Sequence, residues 1–183
     1  MTVVAGPFFA AAGLLGVAGA LKLLRPASTA QALRAAGLAG AASGGGRLGS
    51  ATIGRLVGGA ELALAAGALV VGGRVTAGLL AVTYLGFALF TARLLRTAEA
   101  GASCGCFGAG DEPASGMHVV VNSGLALVGV SAVVWPVPSL GSVLTDQPLA
   151  GVPFVALTAL CGWLLYALLT VLPDVRAAMA AHQ

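Results

Sequence analysis

The residues of this chain best placed to do chemistry are two cysteines one residue apart, in the run Ser103-Cys104-Gly105-Cys106-Phe107-Gly108. Thiols this close either form a dithiol/disulfide couple or bind a soft metal. A disulfide wants Cα atoms about 4.4–6.8 Å apart and a near-perpendicular dihedral. Residues i and i+2 reach that only in a tight, strained turn, and Gly105 supplies the backbone freedom for it. Strain raises the reduction potential, so the couple is expected to be labile and to exchange readily. The same atoms carry a metal alternative. Cys104, Cys106, Met117 and His118 are soft or borderline ligands suited to Cu(I) or zinc, and two thiolates with one imidazole leave a zinc position open. The third cysteine, Cys161, falls inside an apolar run and reads as a small buried apolar residue.

Five other polar residues, Lys22, Glu61, Arg93, His118 and Asn122, lie in or at the ends of apolar runs. A charge near mid-membrane costs about 2.5–3.5 kcal/mol on insertion scales, which makes such residues functional candidates. Glu61 follows Ile53 by eight residues, or ~12 Å of helix. His118 and Asn122 are one helical turn apart on one face. Each has a plain reading too. Lys22 and Arg93 can snorkel to headgroups. Glu61 can pair with Lys22 or Arg55, His118 can simply open a helix, and Asn122 can bond a neighbouring helix. In the functional reading, Lys22, Arg93 or His118 favours the thiolate, which is the attacking species, and His118 moves the proton.

The elements that position these groups follow from composition. Of 183 residues, 58% are hydrophobic and 8% charged, against about 25% charged in a soluble domain. Five apolar runs are long enough to cross a bilayer: Val3–Leu24, Ile53–Gly72, Val75–Leu95, Met117–Trp135 and Val152–Leu172. The fold expected is all-α and integral to the membrane. Residues 1–135 form a four-helix core, and residues 136–183 supply a proline-rich loop, a fifth transmembrane helix and a short tail. Residues 27–50 join the first two helices, with a helix-forming surface segment to Leu38 and a glycine-rich flexible linker over Ala41–Ser50. Residues 97–116 form the cysteine loop. The first run has no positive residue before it, so it reads as a retained anchor rather than a cleaved signal. Small residues at Gly54-x-x-x-Gly58, Gly59-x-x-x-Ala63-x-x-x-Gly67 and Ala12-x-x-x-Gly16-x-x-x-Ala20 suit close helix packing. Trp135 and Trp163 fit the aromatic preference for membrane interfaces, though Trp163 lies well inside its run.

The net charge of +3 does not indicate nucleic acid, because the nine basic residues are scattered at helix ends with no basic face. Anionic lipid headgroups account for them. Alternating helices put the first loop, the cysteine loop and the C-terminus on one side. That side carries Lys22, Arg25, Arg34, Arg47, Arg55, Arg93, Arg96 and Arg176, against Arg74 alone on the other. The positive-inside rule therefore puts the cysteine loop in the cytoplasm. One Lys, one Ile and one Asn in the whole chain point to a GC-rich bacterial genome, hence a bacterial inner membrane.

The chain resembles the MauE/DoxX-like redox-associated membrane proteins, named from methylamine utilisation. Cys104-Gly105-Cys106-Phe107-Gly108 is similar to the family's central Cys-x-Cys-Phe-Gly motif. Gly19-Ala20-Leu21-Lys22-Leu23-Leu24-Arg25-Pro26 resembles its helix-one ending, and Gly58-Gly59-Ala60-Glu61-Leu62 its acidic second-helix segment. His118 and Asn122 fall near the start of its fourth helix, although Val121 stands where the family has a basic residue. The likeness runs from about Phe8 to Val134, so the fifth helix exceeds it. It implies a helper in making or reducing the disulfides of exported client proteins, alongside a thioredoxin-like partner. Lys22, Glu61, Arg93, His118 and Asn122 would then tune the thiols or position a partner or a quinone. Work on exported clients needs the loop outside, against the charge count, and the sequence leans to the charge. A third reading is a non-catalytic assembly subunit with a structural cysteine loop.

Overall fold

The computed structural model describes residues 3–37, 46–97, 105, 114–146 and 148–180, with side chains except at 46–50, 148 and 172–180. The described residues form seven helices. These are α1 (Ala5–Leu24), α2 (Pro26–Ala35), α3 (Gly46–Val70), α4 (Gly73–Thr97), α5 (Gly116–Val134), α6 (Leu140–Asp146) and α7 (Pro148–Ala180). All but α2 and α6 are long and apolar enough to cross a membrane, which gives five spans. In lipid the backbone must bond to itself, so apolar runs of this length become helices.

Helix α1 is the central post. It packs along α3, touches α5, and carries α7 on its outer side. Phe8, Phe9, Leu14 and Leu15 of α1 sit in the main core with Leu80, Tyr84, Leu125 and Leu169. The Tyr84 hydroxyl donates to the Ala11 carbonyl at 2.7 Å and ties α4 to α1 deep in the bundle. Helices α4 and α5 make the most extensive pairing. A Cβ on Gly129 would stand 2.8 Å from the Ala81 backbone, so only glycine lets these two helices approach this far.

Glycine does the same between α1 and α3. A Cβ on Gly19 would lie 2.7 Å from the Gly58 carbonyl, and one on Gly58 equally close to the Gly19 carbonyl. Gly54 meets the Pro26 carbonyl in the same way, and Gly16 faces Ala65. The small-residue faces at Gly54, Gly58 and Gly16 thus pack helix on helix, whereas Gly59 faces open space.

Several sequence expectations are corrected. The second long helix begins at Gly46, so the last part of the expected flexible linker is helical backbone; residues 38–45 lie outside the described set. Pro26 ends α1 only by opening α2, where it occupies the first turn and needs no N–H partner. Helix α2 does not simply lie on the membrane surface. Gln31 and Arg34 face outward, but Ala30, Ala32 and Ala36 are buried against the bundle. The proline-rich loop holds the short α6, whose first turn is capped by the Ser139 hydroxyl accepting from the Ser142 N–H at 3.1 Å. Cys161 is exposed rather than buried. Helix α7 meets the bundle mainly through α1, so most of its surface, Trp163 included, faces outward.

The glycine contacts make a contrast that thermal unfolding in detergent can read. Gly129→Val should destabilise by about 1–3 kcal/mol through overpacking against Ala81. Gly86, with nothing within 4 Å of its virtual Cβ, should accept alanine without loss.

Candidate functional site

The close crossing of α1 and α3 brings two charges together inside the bundle. Lys22, in the last turn of α1, and Glu61, on α3, are 3% and 4% exposed. The Lys22 ammonium donates to both Glu61 carboxylate oxygens, at 2.8 and 2.7 Å. The glycines at positions 19 and 58 make this possible. A Cβ at Gly58 would fall 3.0 Å from the Lys22 Cβ, and one at Gly19 would fall 3.1 Å from the Glu61 Cβ. The Lys22 ammonium also stands 5.1 Å from the centre of the Phe87 ring on α4, within cation–π range. Lys22 therefore does not snorkel. Glu61 takes Lys22, not Arg55, as its partner, and Arg55 is exposed.

Phe87 links this pair to the next group of polar residues. With Tyr84, His118, Asn122, Leu14, Leu15, Ala18 and Leu169 it lines a small internal cavity of about 20 Å³. His118 is fully buried and Asn122 is 5% exposed. Seven residues toward the loop from Gly129 lies Asn122, and seven toward the loop from Ala81 lies Ala88. The antiparallel α4–α5 register thus brings the start of α5 alongside the last turns of α4. Ser115 precedes α5 in extended conformation. Its hydroxyl lies 2.9 Å from His118 Nδ1. The other ring nitrogen, Nε2, is buried with no hydrogen-bond partner among the described residues.

Arg93 stands apart from this interior group. Its Nε donates to the Ala36 carbonyl at 2.9 Å, just past the last turn of α2. Cations are favourable at helix C-termini, so Arg93 acts as a clamp holding α2 to α4. Ala36 and Leu94 form a second small core beneath the clamp, with Phe90 and Ala114.

Helix α2 in turn receives Gly105. Cys104, Cys106, Phe107 and Gly108 lie outside the described residues, but Gly105 between the two cysteines is described, and it is buried. Its φ is +62°, the left-handed region that favours glycine. A Cβ there would stand 2.9 Å from the Ala32 Cβ and 3.2 Å from the Ser28 carbonyl. A side chain at this position would therefore push residue 105 off α2.

The sequence-derived residues thus fall into two groups. Lys22, Glu61, His118 and Asn122 converge inside the bundle, while Arg93 and Gly105 meet at α2. Met117 packs against the apolar core. Among the described residues no cluster of three or more His, Cys, Asp or Glu could hold a metal. Sequence reasoning missed Tyr84, Phe87, Ser115 and Ala32. Tyr84 and Phe87 are three residues apart, and so share a helix face with Ala88 and Thr91, a signal available in the sequence. Ala32 carried no signal at all.

Removing one member of a buried ion pair leaves the other uncompensated and costs about 3–5 kcal/mol. Lys22→Met and Glu61→Gln should each destabilise the protein by that order, and the double variant Lys22→Met/Glu61→Leu should recover most of the loss. Unfolding in lipid-like detergent measures both. Additive losses in the double variant would show that the two side chains act independently.

The family model described as "Methylamine utilisation protein MauE" matches residues 1–136. No curated protein and no solved structure matches the chain. The matched stretch takes in α1 to α5 and the Cys104–Cys106 segment, and leaves α6 and α7 beyond it. A match over this much of the chain, with five apolar helices in the fold, makes this a multi-pass membrane protein that belongs to the MauE family.

Proposed function

We propose that the protein is a membrane thiol–disulfide exchange protein in which Cys104 and Cys106 form the reactive couple. The observation that carries this reading is the seat of Gly105. Its positive φ and its close fit against Ala32 and Ser28 seat the residue between the two cysteines in the left-handed conformation. A left-handed glycine between an i, i+2 pair suits the tight turn in which a disulfide is labile and a second dithiol can open it.

The exchange balances without an external reagent. A thiolate of the couple attacks a disulfide sulfur of a thioredoxin-like partner, forming a mixed S–S bond and releasing a partner thiolate. The second cysteine attacks the mixed disulfide, closing Cys104–Cys106 and releasing the partner dithiol. Two electrons pass to the partner, and each proton lost by an attacking thiol returns on a leaving thiolate. Run backward, the same steps reduce the couple. His118, hydrogen-bonded to Ser115 at the start of α5, is the group that takes and returns the proton. The Lys22–Glu61 pair holds the loop end of the bundle together.

The charge distribution supports a cytoplasmic loop, where the couple draws on cytosolic thioredoxin-like reductant for use by client proteins. An impermeant maleimide, applied to intact cells on a Cys161→Ser background, should label the loop cysteines only after permeabilisation. Labelling of reduced intact cells would place the loop outside and the clients with it.

Exchange itself is tested by trapping. Cys104→Ser or Cys106→Ser should accumulate a mixed disulfide with a thioredoxin-fold protein, visible as a reductant-sensitive adduct on non-reducing gels. His118→Phe should slow exchange roughly 100-fold or more at neutral pH, within the range of a lost general base. If neither cysteine variant forms an adduct and cellular function persists, the couple is not the reactive centre.

A further inference from the structure

The second ring nitrogen of His118 has no role in that scheme, and the space that His118 lines is informative. An unpaired polar atom in the interior of a membrane protein costs several kcal/mol, since no lipid group can bond it. Yet His118 Nε2 is fully buried without a partner among the described residues. His118 also lines the small space of about 20 Å³, shared with Asn122 and otherwise walled by aliphatic and aromatic side chains. A water needs roughly 10–15 Å³ of such space and two or more polar partners. The space is large enough for one water and too small for an organic ligand. His118 Nε2 and the Asn122 amide supply two partners. The Tyr84 hydroxyl already donates its proton to the Ala11 carbonyl and has none left to donate to a water.

From this we infer that the cavity binds a single water held between His118 and Asn122, and that this water supports a proton relay through Ser115 and His118. The relay rests on the exchange reading above; the water does not. With its proton on Nε2, His118 accepts a hydrogen bond from the Ser115 hydroxyl at Nδ1 and donates to the water from Nε2. A proton leaving a thiol on the loop side passes through the Ser115 hydroxyl, whose own proton moves to Nδ1. The S–H bond breaks, an N–H bond forms, and the ring becomes an imidazolium. The water, oriented by Asn122, accepts from Nε2–H and solvates the new charge in an otherwise apolar surrounding. Reversal returns the proton to the leaving thiolate, so none is gained or lost.

The charged and titratable groups facing this region are Lys22 on α1, Glu61 on α3 and Tyr84 on α4, with Arg93 directed away to α2. Lys22 and Glu61 neutralise each other in direct contact, so neither supplies a free counter-ion to the imidazolium. The water is left as its polar stabiliser on the Nε2 side, as Ser115 is on the Nδ1 side.

The fifth helix acquires a purpose in this arrangement. Leu169 of α7, 2% exposed, forms one wall of the cavity. It lies outside the residues matched by the family model. Here α7 seals the water site from lipid.

The test is water-edited solid-state NMR on histidine-labelled protein in lipid, with His182→Gln removing the other histidine. The wild type should transfer magnetisation from water to His118 Nε2–H. Asn122→Leu should abolish the transfer. Ala18→Val keeps both polar groups and fills the space, so it should abolish the transfer too and cover the case in which Asn122→Leu misfolds. Absence of transfer in the wild type means a dry cavity and overturns the inference. So does transfer that survives in a folded Ala18→Val protein, because the signal then comes from water at the Ser115 side. Both readouts are independent of thiol exchange, so the water can fail while exchange stands, and the reverse.

Discussion

The close approach of α1 and α3 is the constraint on which the rest of the structure depends. Two charged side chains cannot stay in the interior of a membrane bundle unless they meet each other at hydrogen-bond distance. Lys22 and Glu61 meet because Gly19 and Gly58 remove the side chains that would hold their helices apart. The crossing fixes the tilt of α1. Helix α1 then presents Leu14, Leu15 and Ala18 to the cavity and Tyr84's partner carbonyl, Ala11, to α4. Helix α2 leaves α1 directly through Arg25, so its position follows from the same crossing, aided by the Gly54–Pro26 contact.

Two polar layers result, one above the other. The inner layer contains the ion pair and the His118–Asn122 cavity, with Phe87 between them. The outer layer contains α2, clamped by Arg93 and carrying Gly105 on its alanine face. Ser115 and His118 connect the layers, since the hydroxyl is half-buried near the loop and the imidazole is sealed below it. A bundle held together by aliphatic packing alone would need none of this. The cost of the buried polar groups is sustained by the small-residue crossings, which are the main source of tight helix contact in lipid.

The membrane spans were legible in the sequence because lipid imposes a length and a composition on any helix that crosses it. Boundaries were less so. The start of α3 at Gly46 was hidden because glycine reads as flexible by its behaviour in water, whereas in lipid unsatisfied backbone drives helix formation through it. The docking of α2 was hidden because its buried face is alanine, which carries no hydropathy contrast. The pairing of Lys22 with Glu61 was legible as one option among several. What decided it was the Gly19–Gly58 crossing, and a sequence does not say which glycine faces which. The isolation of Arg93 from the interior group, the outward turn of Cys161 and the small space at His118 depend on helix rotation, which the apolar pattern of a membrane helix specifies weakly.

The central claim is that Cys104 and Cys106 act as one two-electron couple. Differential alkylation of membranes equilibrated in graded glutathione redox buffers, read by mass spectrometry, tests it most directly. The account predicts that both cysteines become protected together along a single two-electron Nernst curve, while Cys161 stays alkylatable or inaccessible throughout. Protection of one without the other, or free thiols at both positions across the whole range, would contradict it.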